Sequence, residues 1–310
     1  MEHEILVSSE IESDVKQRVR EFYDSVGWKQ VGSGLYQNAR YEDLRPVSRE
    51  YIHRCHMRVN RYLKRTGTFL LDAGSGPIQY PEYLEYSSGY QYRVCLDISI
   101  LALDEARERI GNHGLFVVGD AANLPFKPET FDSVVSLHTV HHLPAGEQRQ
   151  AFNEFHRVLI PGGRVVVVYS WGDHALLVRL TRPFIRLAFS VQRGYGRLRR
   201  KREGVSTQGE MQICDGNIQP AQASATFTYK HDYHWVQQDL ADFPGLQVVV
   251  WRSVSTSFMR AFIFRRMLGR WWLWMLYWLE ERAPHIFGRI GQYPMILISK
   301  PAAVEKSHSR

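Results

Sequence analysis

Three aspartates and two glycines carry the chemistry this chain could do. Asp72 closes a short apolar run inside TFLLDAGSGP, Asp97 closes a second in YRVCLD, and Asp120 follows a third, LFVV, after one glycine. Apolar runs of that length, bounded by glycine and proline, predict buried parallel strands. Ligands of open α/β sheets sit at the carboxyl ends of such strands, beside a glycine-rich turn. Gly74 and Gly76 supply the turn, since glycine lets the backbone bend sharply and approach a ligand with no Cβ in the way. An ionised carboxylate only accepts hydrogen bonds. Asp97 therefore suits a pair of ribose hydroxyls, and Asp120, with Ala121, suits an adenine amino group. Any one of these acids is more simply a helix cap or a turn residue. Three of them at three successive strand tips point to a binding site.

A dinucleotide is the rival ligand. Its GxGxxG turn uses a third glycine to bring a helix N-terminus up to a pyrophosphate, and here that position is Gln79. Asp72, directly before the turn, repels a pyrophosphate and favours a ligand bearing an ammonium and a sulfonium. The expected cofactor is S-adenosylmethionine. NAD is disfavoured.

Around these residues the pattern alternates strand and helix. Residues 1–66 read as a helical cap or lid. One helix carries Val15, Val19, Phe22 and Val26, with Asp14 and Gln17 as a capping box, and a second is capped by Ser48 and faces inward through Ile52, Cys55, Val59 and Tyr62. From residue 67 to 300 strands are expected at 68–71, 92–96, 115–118, 131–137, 164–169, 246–250 and 295–298. Ser99 caps a helix that Gly111 ends, and another helix runs over about 144–159. The fold class is α/β, a doubly wound, mostly parallel seven-stranded Rossmann-like sheet with a helical N-terminal segment and two cap insertions, at about 171–230 and 253–292. Residues 301–310 read as a disordered tail.

The stretches LLDAGSGP (70–77), CLDIS (95–99), GDAANLPFKPETFDSVVSLHTVHHLP (119–144) and VLIPGGRVVVV (158–168) resemble the class I S-adenosylmethionine-dependent methyltransferases, near their ubiquinone/menaquinone C-methyltransferase branch. The resemblance spans about a third of the chain, 68–169. It implies that Asp72, Gly74 and Gly76 line the methionine end, that Asp97 holds the ribose, with Ile98 among the cofactor-binding residues, that Asp120 and Ala121 meet the adenine, and that His138 lies near the cofactor and the transferred methyl. The family's usual third glycine, in DxGxGxG, is Ile78 here.

Methyl transfer from a sulfonium is an in-line displacement, governed by proximity and alignment. A base is needed only if the acceptor loses a proton, and His138, His141 and Tyr36 are the candidates. His138, His141 and His142 are spaced like metal ligands, but no Cys, Asp or Glu joins them locally, so no metal is expected. His53 and His56 read as surface or packing residues of the second helix.

The charge of +7 over 310 residues is concentrated in the two insertions. Arg179, Arg182 and Arg186 stand among Leu, Phe and Ile in the first, followed by RGYGRLRRKR. Arg260, Arg265, Arg266 and Arg270 precede nine apolar residues, Trp271–Leu279, in the second. Nine helical residues reach ~14 Å, too short to span a bilayer. Trp271–Leu279 reads first as a buried cap over a hydrophobic acceptor pocket, and next as a helix at an anionic membrane surface, a common place for tryptophan beside arginine. The acceptor is expected to be small and hydrophobic, amphipathic or lipid-linked. Nucleic acid is disfavoured, because the basic run lacks a recognisable RNA module. A methyltransferase acting on RNA, or a non-catalytic adenosylmethionine-binding protein, are the alternatives. Three scattered cysteines, Cys55, Cys95 and Cys214, and an acidic N-terminus without a long apolar core point to a reducing, cytoplasmic setting, with peripheral contact at the inner membrane face as its variant.

Overall fold

Seven runs rich in β-branched and other apolar residues pair edge to edge into one sheet. A computed structural model describes residues 14–28, 30–31, 35–36, 42–203 and 226–302, with backbone alone at 30–31, 35–36 and 195–203. A two-stranded antiparallel ribbon, β1 (Gln30–Val31) with β2 (Leu35–Tyr36), precedes the sheet. The sheet holds β3 (Gly67–Ala73), β4 (Tyr90–Asp97), β5 (Gly114–Val118), β6 (Phe131–Leu137), β7 (Leu159–Val168), β8 (Gln247–Arg252) and β9 (Tyr293–Ser299). Their order is β5-β4-β3-β6-β7-β9-β8, with β9 antiparallel to both neighbours and every other pairing parallel. The chain thus builds outward from β3 in one direction, returns through β6 and builds outward in the other. The crossing between β3 and β6 is a topological switch point, where such sheets open a ligand crevice.

Helices cover both faces, which is why the strands read as continuous apolar runs. Leu71, Val94, Val134 and Val165 pack into one face cluster, and their chain neighbours Leu70, Cys95, Val135 and Val166 into the other. Helix α1 (residues 14–22) ends in a wider turn at Tyr23–Gly27. It is followed by α2 (Arg49–Met57), α3 (Ile100–Ile110) and α4 (Ala145–Val158). Ser99 Oγ accepts from Ala102 N–H at 3.1 Å, and Gly111 takes φ +63° at the helix end, both as the sequence predicts. Two expected caps differ. Ser48 precedes α2, but its hydroxyl donates to Asp43 Oδ2 at 2.6 Å instead of capping. Asp14 lies inside α1 and pairs with Arg18 one turn on, while Gln17 donates to Glu21.

The described residues of the two stretches after β7 and β8 are largely helical. Helix α5 (Leu176–Glu203) leaves the tip of β7, and α6 (Tyr233–Asp239) leads into β8. Helices α7 (Thr256–Phe262), α8 (Gly269–Arg282) and α9 (Pro284–Ile290) separate β8 from β9. The buried cap expected at Trp271–Leu279 is not there. Gly269, Leu273 and Glu280 of α8 are buried outright, with Leu276 and Tyr277 half-buried beside them, whereas Trp271, Trp272, Trp274 and Trp278 face outward. The cause is polar anchoring of the opposite side. Tyr51 OH donates to Glu280 Oε1 at 2.7 Å and Arg58 pairs with Glu280 and Glu281 at 2.9 and 2.8 Å, fixing which face of α8 meets the protein. Cys55 and Cys95 are buried free thiols. Cys214 and the tail 303–310 lie outside the described residues.

Candidate cofactor and acceptor site

A cavity of about 400 Å³ runs along the carboxyl edge of the sheet and bridges the switch point. One half lies over the tips of β3, β4 and β5, where Gly74, Ser75, Gly76, Asp97, Ile98, Gly119, Asp120 and Ala121 form its floor. The other half lies over β6, β7, β8 and the start of β9, where His138, Ser170, Arg252 and Tyr293 face it. Lys16, Val19, Phe22, Tyr23 and Trp28, from α1 and the turn after it, make the wall across the first half.

The turn after β3 requires glycine. Gly74 has φ +75°, and a Cβ there would lie 2.2 Å from the Thr139 side chain. Gly76 has φ +54°. Ile78, at the place of the family's third glycine, keeps φ +54° although it is β-branched and fully buried. A β-branched residue in that region is strained, at a cost on the order of 1–3 kcal/mol. The loop keeps its glycine-type backbone after losing the glycine, held by Arg109 Nη1 donating to the Ile78 carbonyl at 2.8 Å.

Asp97 lies on the cavity floor and is braced by two backbone N–H groups. Its Oδ2 accepts from Gly76 N–H and its Oδ1 from Ser99 N–H, each at 2.9 Å. A carboxylate offers about four lone-pair sites, so each oxygen retains an acceptor site, which fits the vicinal hydroxyls of a ribose. Burial pushes its pKa up to about 6, only partly opposed by those two N–H groups. Affinity for a ligand whose hydroxyls donate to the ionised carboxylate is expected to be flat above pH 7 and to fall about tenfold per unit below pH 6, since a proton must leave on binding. Calorimetric titration between pH 5 and 8 checks this.

Asp72 does not face the cavity. It is buried, and Arg93 of the next strand binds its Oδ2 through Nη2 and, at 3.1 Å, through Nε. Its charge is neutralised inside the protein, so the expectation that it lines the methionine end and attracts a cationic ligand is corrected. What separates the site from a dinucleotide site is the backbone instead. The glycine turn leads into a 3₁₀ segment, Pro81–Ser87, and not into an α-helix whose N-terminus could hold a pyrophosphate.

Asp120 is at the cavity floor and is not free. Lys16 Nζ of α1 lies 2.6 Å from Asp120 Oδ2 and 2.6 Å from Glu147 Oε2. Although burial works against its charge, these two carboxylates raise the Lys16 pKa. Lys16 thereby clasps α1 over the sheet edge. The sequence offered no sign of this contact, which joins residues 104 apart.

His138 sits at φ +57° at the tip of β6, its ring edge-on to Trp251 and Tyr293 at centroid distances of 4.9 and 5.5 Å. Burial, followed by Arg252 and His56, lowers its pKa to about 3. Burial lowers His142 to about 4 and takes His141 well below its usual value. All three are neutral near pH 7. His142 spends both nitrogens within the protein: the Phe227 carbonyl at 2.8 Å requires a proton on Nδ1, so Nε2, 2.9 Å away, accepts from Tyr23 OH. His141 Nδ1 is buried without a hydrogen-bond partner. Tyr36 contributes backbone to β2, and its side chain lies outside the described residues. Among the described residues, no cluster of three or more His, Cys, Asp or Glu is placed to hold a metal. Two cationic residues of the second half were missed from sequence. Arg252 is buried and pairs with Glu42 at 2.5 Å. Lys230 lines the cavity, and burial lowers its pKa. A lone arginine closing the apolar run QVVVW was the available signal, because a buried charge needs a partner.

Residues 71–167 match the methyltransferase domain family. Over that segment the chain is similar to methyltransferase domains, and its seven-stranded sheet has the fold of the class I S-adenosylmethionine-dependent methyltransferases. The chain is 31% identical over 134 residues to a probable tRNA methyltransferase 9B of Homo sapiens, covering 42% of this chain and 28% of that protein. It is 31% identical over 139 residues to a ubiquinone/menaquinone biosynthesis C-methyltransferase of Ruegeria sp., covering 42% of this chain and 54% of that protein. It is 32% identical over 166 residues to an 18S rRNA (guanine-N(7))-methyltransferase of Bos taurus, covering 46% and 58%. The chain therefore spans less than two thirds of the length of each of these relatives. A solved phosphoethanolamine N-methyltransferase 2 of Haemonchus contortus, in complex with S-adenosyl-L-methionine, shares the fold at 16% identity and a TM-score of 0.50, over 91% of this chain and 60% of that one.

Proposed function

We propose that this chain is an enzyme that moves a methyl group from S-adenosylmethionine to oxygen or carbon of a small hydrophobic, amphipathic or lipid-linked acceptor. The observation that carries the proposal is the division of the cavity. Its β3–β5 half offers the open acceptor sites of Asp97 above a glycine floor, and its β6–β9 half offers an aromatic wall with neutral imidazoles. The cofactor would supply an electrophilic methyl from its sulfonium. Asp97 and Ile98 would hold its ribose, Asp120 and Ala121 its adenine, and Gly74 and Gly76 would allow its close approach.

The protein's share of the chemistry is placement. His138 and His141, neutral and walled in by Trp251, Tyr293 and Tyr169, are suited to accept a hydrogen bond from an acceptor hydroxyl and set its angle. With a pKa near 3, His138 holds a proton too weakly to act as a strong base at neutral pH. The Lys230 amine offers a second means of activation. Its positive charge would stabilise an enolate or phenolate, so that an acidic acceptor gives up its proton before transfer.

The similarity to tRNA and rRNA methyltransferases favours a second proposal, an RNA acceptor bound through the basic insertion. Incubating the protein and radiolabelled S-adenosylmethionine with fractionated cell extract separates the two. Label in the organic-extractable or small-molecule pool is expected. Label confined to RNA would replace the acceptor half of the proposal, and cofactor binding without transfer to any pool would favour a non-catalytic binding protein.

A further inference from the structure

Two helices expose apolar faces that an ordinary soluble surface does not carry. On α5, Leu176, Leu180, Phe184, Leu187 and Val191 recur at intervals of four, four, three and four residues, which lays them along one stripe. They are 47–63% exposed. On α8, Trp271, Trp272, Trp274 and Trp278 are 45–54% exposed, and Met267 and Leu268 just before it are 65% and 70% exposed. The two helices are linked through α7, against which α5 packs, with Gln192 Nε2 donating to the Ala261 carbonyl at 3.4 Å. An exposed apolar surface of this kind marks a site of interaction.

The charges say what covers it. Residues 176–194 and 256–279 contain eight arginines, Arg179, Arg182, Arg186, Arg193, Arg260, Arg265, Arg266 and Arg270, and no acidic residue. A second copy of the chain would bring like charges together across the contact. An anionic bilayer surface matches both features, because tryptophan settles at the headgroup level and arginine pairs with lipid phosphate. No helix among the described residues is long and apolar enough to cross a membrane, so the contact would be peripheral. Position agrees as well. Helix α5 follows the tip of β7 and α7 follows the tip of β8, the two strand ends that bring Ser170 and Arg252 to the acceptor half of the cavity.

We propose that the outward faces of α5 and α8, with the Met267–Leu268 turn, dock this protein on an anionic lipid bilayer, beside the acceptor half of the cavity. The docking is independent of the cavity's chemistry, and it holds whether or not the methyl acceptor is a lipid.

The test is co-sedimentation of the full chain with phosphatidylglycerol–phosphatidylcholine vesicles at equal parts, against pure phosphatidylcholine vesicles. Partition onto the anionic vesicles is expected to be at least tenfold higher and to fall as salt is raised from 0.1 to 0.5 M. The double variant Trp274→Ser/Trp278→Ser, changed only at outward positions, is expected to lose tenfold or more, and so is Arg265→Glu/Arg266→Glu. Tryptophan fluorescence of the unmodified protein is expected to shift to the blue when anionic vesicles are added. Failure to sediment with anionic vesicles, or partition unchanged in both variants, overturns the proposal. A dimer in sedimentation velocity that the tryptophan variant disperses overturns it in favour of a second copy. Tight binding of an RNA oligonucleotide that the arginine variant alone abolishes, with no vesicle binding, overturns it in favour of nucleic acid.

Discussion

Replacing Asp97 with alanine is expected to weaken S-adenosylmethionine binding about a hundredfold or more, with little change in the core of the fold. Asp97 is the acid of the cavity floor whose two oxygens each keep an acceptor site after binding Gly76 and Ser99. Hydrogen bonds to a charged group are worth about 1.5–3 kcal/mol each. Two of them lost amount to at least about 3 kcal/mol, or a factor of a hundred or more. Alanine also releases the N–H of Gly76, so the turn that admits the ligand loses its brace. Asp97→Asn separates these effects, since the amide oxygen can still brace one N–H while the charge is gone. It is expected to lie between alanine and the native residue in calorimetric titration. Equal affinity in all three would show that the ribose is held elsewhere.

Arg93→Met is expected to cost about 3–5 kcal/mol of folding stability in urea denaturation, because it strands the Asp72 carboxylate in the core. Arg93 also donates to the Tyr83 carbonyl, so one more buried acceptor loses its partner. The double variant Asp72→Asn/Arg93→Met is expected to recover at least half the loss, since no buried charge remains. The deficit of the single variant should also shrink as the pH falls. Without Arg93, burial holds the Asp72 pKa above its unfolded value, so folding takes up a proton and is favoured by acid. A single variant as stable as the native protein, but unable to bind S-adenosylmethionine, would return Asp72 to the ligand site.

The sheet was legible in the sequence almost strand for strand. Both faces are covered, so each strand is a continuous apolar run, and the acid or glycine at its end marks where it leaves the core. Asp97 was legible for the same reason, since a strand-tip acid faces the crevice. Asp72 was misread because its partner stands 21 residues away on the neighbouring strand, and parallel register is not written locally. The sign that was present is Arg93 itself, a lone cation within the run YRVCL. Buried there, it had to meet an acid. Lys16 left no such mark, because α1 could have packed in many ways until its amine met Asp120 and Glu147. The apolar run of α8 has no polar side, so the sequence did not say which side faces the protein. That was decided by Glu280, through Tyr51 and Arg58, two residues of the N-terminal third of the chain.

We propose that Asp97, the glycine turn and the 3₁₀ segment after it form the site for S-adenosylmethionine and disfavour a dinucleotide. Titration calorimetry of the unmodified protein with S-adenosylmethionine, and separately with NAD, tests this most directly. One equivalent of S-adenosylmethionine should bind per chain at pH 7.5, and NAD should give no heat of binding. Binding of NAD, or no binding of S-adenosylmethionine at millimolar concentration, would contradict it.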